Sequence, residues 1–155
     1  MIVAVIGAAV CTDAEAATAE TVGRLLAEAG AVLVCGGRGG VMAAACRGAK
    51  SAGGLTVGIL PGGDAGEANP WVDVPIATGM GEARNTIVVR SAEAVIAIGG
   101  AYGTLSEIAF ALRWGKRVVG LGTWELARGG APDRGIIRAE TPEEVVGMVL
   151  VIGNG

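Results

Sequence analysis

Five short, almost wholly apolar runs recur along the chain: IVAVI at 2–6, AVLVC at 31–35, LTVGIL at 55–60, AVIAI at 94–98 and RVVGL at 117–121. None alternates apolar with polar residues, as a strand with one wet face would, so each reads as a strand buried on both faces. The stretches between them carry helix punctuation. Thr12 or Asp13 caps a helix running to Leu26 and Ala27, with Gly30 as its stop, and a second helix runs from Val41 to Ala49 and ends at Gly53-Gly54. Residues 81–92 and 104–114 read as two more, the latter stopped by Gly115. Thr141-Pro142-Glu143-Glu144 is a capping box with proline at the first helical position, and it opens a C-terminal helix. A loop holding Pro61, Gly62, Gly63 and Pro70 leads to an extended piece near 72–78. Residues 128–135 are expected to be a polar loop, and 136–139 a short last strand. Alternating buried strands and helices predict a three-layer α/β Rossmann-like fold, with a mostly parallel sheet and helices on both faces. No shift in composition marks a boundary, so 1–155 reads as one nucleotide- or phosphate-binding domain.

Composition narrows the chemistry. The chain has no histidine, which removes every Ser-His-Asp or Cys-His arrangement and every imidazole metal site, and no metal centre is expected. Proton transfer falls to carboxylates, arginine, tyrosine, cysteine or water. Only Lys50 and Lys116 are available for Schiff-base chemistry. Five aromatic residues and a net charge of −3 argue against nucleic acid as a partner. The three cysteines, Cys11, Cys35 and Cys46, form no C-x-x-C and read as small buried hydrophobes in a reducing cytoplasm. The apolar start lacks a basic segment before it, Val10 is bulky for a processing site, and no run of about 18 apolar residues occurs. A soluble, cytoplasmic protein without a membrane partner is expected.

Glycine stands out, at 28 of 155 residues without a collagen period, and so marks places where backbone approaches something closely. Two segments share one pattern of strand, glycine loop and helix: Gly36-Gly37-Arg38-Gly39-Gly40-Val41 and Gly99-Gly100-Ala101-Tyr102-Gly103-Thr104. Loops leaving the carboxyl ends of parallel strands share one edge of the sheet. Two helix N-termini, each with free N–H groups and a partial positive charge, are therefore placed to face one anion, and Thr104 adds a hydroxyl. This makes Gly36, Gly37, Gly39, Gly40, Gly99, Gly100, Gly103 and Thr104 the candidate phosphate-binding residues. Close packing uses the same glycines and is the competing reading. Arg84 falls near the start of the 81–92 helix, at the rim of its apolar face; Glu107 falls in the first turn after the second glycine loop. Taken alone, each has an ordinary explanation, a solvated arginine and a carboxylate complementing a helix dipole, and Glu82 is given the same plain reading. Tyr102 either stacks on a base or covers its loop. Phe110 and Trp114, four apart on one helix, read as core or subunit contact.

The segment EARNTIVVRSAEAVIAIGGAYGTLSEIAFAL resembles the LOG family, once mislabelled lysine decarboxylases, whose signature is P-G-G-x-G-T-x-x-E. GGRGGVM at 36–42 resembles that family's other glycine motif. The resemblance covers nearly the whole chain, with both motifs in the family's order. It implies a nucleoside 5′-monophosphate phosphoribohydrolase that releases a free base and ribose 5-phosphate without a required cofactor. Arg84 and Glu107 match the family's catalytic pair, and Gly100, Gly103 and Thr104 its phosphate loop. By that resemblance Glu107 would stabilise an oxocarbenium-like ribose and Arg84 would neutralise phosphate or steady the leaving base. The decarboxylase label has no support, since neither lysine sits in a pyridoxal phosphate setting.

The chain also departs from the LOG pattern. Ala101 stands where the third glycine of P-G-G is usual, Ser106 replaces the first of the paired glutamates, Cys35 the first glycine of the other motif, and Gly7-Ala8 the usual Gly-Ser. In these changes it is similar to a sister branch, the molybdenum cofactor carrier proteins, which bind a phosphorylated pterin as cargo and do not cut it. Retention of Arg84 and Glu107 favours hydrolysis; Ala101 and Ser106 favour the carrier. A nucleotide-sensing domain without turnover is the third reading. The partner is in every case a phosphorylated small molecule, and the resemblance together with the high apolar fraction implies a homo-oligomer, a dimer or tetramer.

Overall fold

Each apolar run becomes a strand, because a segment apolar on both sides is stable only with helices above and below it. In the computed structural model, which describes residues 1–151, the chain runs through β1 (Ile2–Gly7), α1 (Asp13–Glu28), β2 (Val32–Cys35), α2 (Val41–Ser51), β3 (Thr56–Leu60) and β4 (Val74–Ala77). It continues through α3 (Arg84–Ser91), β5 (Ala94–Ile98), α4 (Tyr102–Arg113), β6 (Arg117–Leu121), β7 (Leu126–Arg128), β8 (Ala131–Asp133), β9 (Ile136–Arg138) and α5 (Pro142–Leu150). Seven strands form one sheet in the order β4-β3-β2-β1-β5-β6-β9, and every neighbouring pair is parallel. The Rossmann-like expectation is met.

Alternate residues of the inner strands feed two separate cores. Val3 and Val5 of β1, with Leu33 and Cys35 of β2, pack under α1, α2 and α5, while Ala4 and Ile6 pack under α3 and α4 on the other face. On the first face α1 and α2 touch through glycines. A Cβ on Gly23 would land on the Ala45 carbonyl oxygen, and one on Gly48 on the Glu20 carbonyl oxygen. The glycine surplus is spent partly here, on backbone contact between helices.

Several boundaries differ from the sequence reading. Residues 128–135 are not a plain loop: β7 and β8 form an antiparallel hairpin, with Arg128 opposite Ala131 and Gly129-Gly130 at the turn. Both glycines have positive φ (56° and 81°), as a two-residue hairpin of the favoured hand requires. Strands of three residues, of which only Leu126 is partly buried, are too short for periodicity to reveal them. The 81–92 helix begins with one 3₁₀ turn, Gly81–Ala83, before α3 proper, and α4 starts at Tyr102 rather than Thr104.

Candidate functional site

The chain runs outward from β1 to β2, β3 and β4 in one direction, then returns to the other side of β1 with β5, β6 and β9. The strand order therefore reverses between β1 and β5. The loops leaving these two strands diverge to opposite faces, and ligands of open parallel sheets bind in the crevice this opens at the carboxyl edge. A cleft of about 290 Å³ lies there. Its walls are the end of β1 up to Gly7 and the following Ala8 and Ala9, together with Gly36, Met42, Glu82, Arg84 and Asn85, and Ala101, Gly103, Thr104 and Glu107 at the start of α4.

The floor is the N-terminus of α4. Ala101 caps it with no side-chain bond, and the first backward hydrogen bond is Leu105 N–H to the Ala101 carbonyl at 3.0 Å. The N–H groups of Tyr102, Gly103 and Thr104 precede that bond, so they are the free donors that every helix start presents. Gly103 has nothing within 4 Å of where a Cβ would stand, so its bareness serves the open cleft and not the protein's packing. Thr104 is buried and lines the same wall.

The two glycine loops do not contribute equally. Gly36, Gly103 and Thr104 line the cleft; Gly37, Gly39, Gly40, Gly99 and Gly100 do not. The start of α2 is turned to the protein instead: Val41 N–H donates to the Ala8 carbonyl at 3.1 Å, and a Cβ on Gly40 would strike that same carbonyl. Gly37 lies against Leu60 and Gly58. Gly100, at φ 102°, carries the chain over the Thr104 side chain. Close packing accounts for Gly37, Gly40 and Gly100.

Arg84 is not a solvated surface arginine. It reaches inward from the start of α3, with Nε donating to the Ile59 carbonyl at 2.9 Å, a terminal nitrogen to the Gly36 carbonyl at 3.4 Å, and the other to Asn85 Oδ1. Burial pulls its pKa below the ordinary arginine value, against the pull of Glu107. Asn85, buried and absent from the sequence reading, donates onward to Ser106 Oγ at 3.4 Å, and Ser106 donates to the Gly103 carbonyl at 2.6 Å. The serine at the glutamate position thus ties Arg84 to the first turn of α4. An R-N dipeptide opening a helix beside a glycine loop was the available signal for Asn85.

Glu107 is 6% exposed. Burial pushes its carboxyl up to about 8, with Arg84 only partly opposing, so at neutral pH it is mostly a neutral acid. Among the described residues no buried side-chain oxygen is left without a partner, and Glu107 bonds no protein donor, so its oxygens reach the cleft. A neutral Glu107 leaves Arg84 as the inner charge, with Glu82 at the exposed lip. The floor is then set for an anion: one guanidinium, a helix start, a hydroxyl and a carboxyl able to donate.

Comparison with known proteins places this arrangement. The model of the SLOG cluster4 family matches residues 1–146. The chain belongs to the SLOG cluster4 family. A protein of Archaeoglobus fulgidus is 49% identical over 150 residues, spanning 97% of this chain and 95% of its own length. Among solved structures of this fold, the molybdenum cofactor binding protein of the phototrophic bacterium Rippkaea orientalis is similar at 37% identity and TM-score 0.88, covering 97% of this chain and 96% of that one. The molybdenum cofactor carrier protein of Chlamydomonas reinhardtii is similar at 32% identity and TM-score 0.83, with 99% and 98% covered. The LOG-like expectation, and within it the carrier branch, is borne out, and a ligand-binding role is supported. No helix among the described residues is long and apolar enough to cross a membrane.

Proposed function

We propose that this protein binds a phosphorylated pterin, the molybdenum cofactor, as cargo, with the phosphate held at the start of α4 and the pterin left intact. The observation that carries this reading is geometric: Arg84, anchored by the Ile59 and Gly36 carbonyls, and Glu107, 6% exposed, line one cleft with the bare start of α4. Burial, which pushes the Glu107 carboxyl up, suits it to donate to a phosphate oxygen. Ser106, in place of a second buried carboxylate, supports the same reading, as do the names of the two solved relatives. Gly36, Gly103, Thr104 and Arg84 hold the anion, while Gly37, Gly39, Gly40, Gly99 and Gly100 shape the loops around it. The test incubates the protein with cofactor released from a molybdoenzyme, separates it by gel filtration, and measures protein-bound pterin by fluorescence after oxidation. Retention by the native protein and loss in Arg84→Ala is the expected result; equal retention by both would refute it.

One observation favours hydrolysis as a second reading: Arg84, Glu107 and, at the lip, Glu82 share a single cleft, so two carboxyl groups flank whatever it holds. Incubation with a panel of nucleoside 5′-monophosphates, followed by chromatography for free base, decides between them. Base release abolished by Glu107→Gln would establish the phosphoribohydrolase. The homo-oligomer also remains our proposal, supported by Val74 and Ile76, each 43% exposed on the edge strand β4.

A further inference from the structure

The phosphate cleft holds no aromatic side chain: its walls are aliphatic, glycine and the polar groups already named. A ligand carrying a fused heterocycle finds no stacking surface there. A second and larger cavity, about 820 Å³, opens beside it on the same edge of the sheet, between the ends of β6 and β9 and the β7–β8 hairpin. Trp124, Leu126 and Ile136 supply its apolar lining, with Asp133 and Arg134 also on its wall.

The two spaces are linked through one hydrogen bond between their linings. Trp124, which lines the larger cavity, donates its Nε1–H at 3.1 Å to the carbonyl of Ala101, which lines the phosphate cleft. Its ring also meets Tyr102, with centroids 5.6 Å apart. Thr123 Oγ1 donates to the Gly99 carbonyl at 2.5 Å and Gly99 N–H to the Leu121 carbonyl at 3.1 Å, so the loop after β6 is fastened to the loop after β5. Arg138 is committed to Glu140 at 2.7 Å and Glu125 at 3.3 Å, whereas Arg134 has no ion-pair partner among the described residues. Asp133 uses one oxygen on Gly135 N–H at 2.8 Å.

We infer that the cavity under the β7–β8 hairpin is the ring subsite of the same ligand: a fused aromatic heterocycle of the pterin or guanine kind lies on Trp124 while its phosphate occupies the start of α4. The volume falls within the range of about 300–1,000 Å³ typical of small-molecule sites, and an apolar lining with a few polar groups is their usual make-up. Arg134 and Asp133 offer a donor and an acceptor to the ring's amide edge. This rests on the phosphate-binding reading above and extends it from the anion to the group the anion is attached to.

Binding of ribose 5-phosphate, GMP and 6-hydroxymethylpterin monophosphate to the native protein, measured by calorimetry and by tryptophan fluorescence, tests both levels. At least one ring-bearing ligand is expected to bind tenfold or more tightly than ribose 5-phosphate and to quench tryptophan emission. In Trp124→Phe the quenching disappears while affinity changes less than about threefold, since a phenyl ring still stacks. Ala127→Trp, an exposed hairpin residue lining the cavity, is expected to weaken the ring-bearing ligand tenfold and to leave ribose 5-phosphate unchanged. The subsite is overturned if neither ring-bearing ligand binds tighter than ribose 5-phosphate, or if Ala127→Trp weakens all three alike. Quenching at Trp124 without any binding of ribose 5-phosphate would instead overturn the phosphate floor and leave the ring subsite standing.

Discussion

Replacing Glu107 with glutamine tests the electrostatics of the site without a ligand. In the fold its carboxyl titrates near 8, against an ordinary value of 4.5. Between those limits the unfolded chain has lost the proton that the folded chain keeps, so the folded state binds more protons and stability falls as pH rises. The gap is about 3.5 pH units, and each is worth about 1.4 kcal/mol, giving an upper limit of about 5 kcal/mol lost between pH 4.5 and pH 8. At 6% exposure the group is little screened by solvent. Glutamine keeps the shape and cannot ionise. Guanidinium unfolding of both proteins at half-unit steps from pH 5 to pH 9 should therefore give curves that diverge. The variant should gain on the native protein by up to about 1.4 kcal/mol per pH unit, with the gain levelling above pH 8. Parallel curves would show that Glu107 is ionised in the fold at neutral pH, and the argument for a neutral acid beside the phosphate would fall.

Other substitutions separate binding from stability. Gly103→Ala should leave stability unchanged or raise it by up to about 1 kcal/mol, because alanine is the better helix former and its methyl meets nothing; phosphate affinity should drop at least tenfold by calorimetry. Gly100→Ala should destabilise by about 2 kcal/mol or more in the same unfolding assay, since φ is 102° and Thr104 stands 2.5 Å from the new carbon. Arg84→Ala leaves the Ile59 and Gly36 carbonyls without their donor, so stability should fall by about 1–3 kcal/mol along with anion binding. Cys35 and Cys46 are fully buried with sulfurs 3.6 Å apart, and the hydrogen bond to Cys35 together with burial pushes the Cys46 thiol up, so a thiol reagent should label only Cys11 in the folded protein and all three cysteines after denaturation.

Runs buried on both faces were legible because only one architecture accepts them, and from their order came the parallel sheet and the edge on which the site stands. Contacts made by backbone were not legible. Gly39-Gly40 has the composition of a phosphate loop, yet what stands against Gly40 is the Ala8 carbonyl, a partner 32 residues earlier that no local pattern names. Arg84 was found at the right place but with the wrong surroundings: a helix-rim arginine looks solvated until β3 is seen to offer it the Ile59 carbonyl. Glu82 shows the converse, a residue read as ordinary that the 3₁₀ turn before α3 sets on the lip of the cleft. The β7–β8 hairpin had one readable sign, the Gly129-Gly130 pair, and no apolar alternation to go with it.

Both openings lie where the parallel strands end, and the turns at Gly30, Gly53 and Gly115, where an added side chain would meet nothing, stand at the opposite rim. Were the proposed cargo seated there, a recipient would have to approach the rim that carries the hairpin. Under the proposed function, transfer would then be a face-to-face event at the rim where the β7–β8 hairpin stands. The far rim, by contrast, is free for a tether or a reporter that leaves the exchange unobstructed.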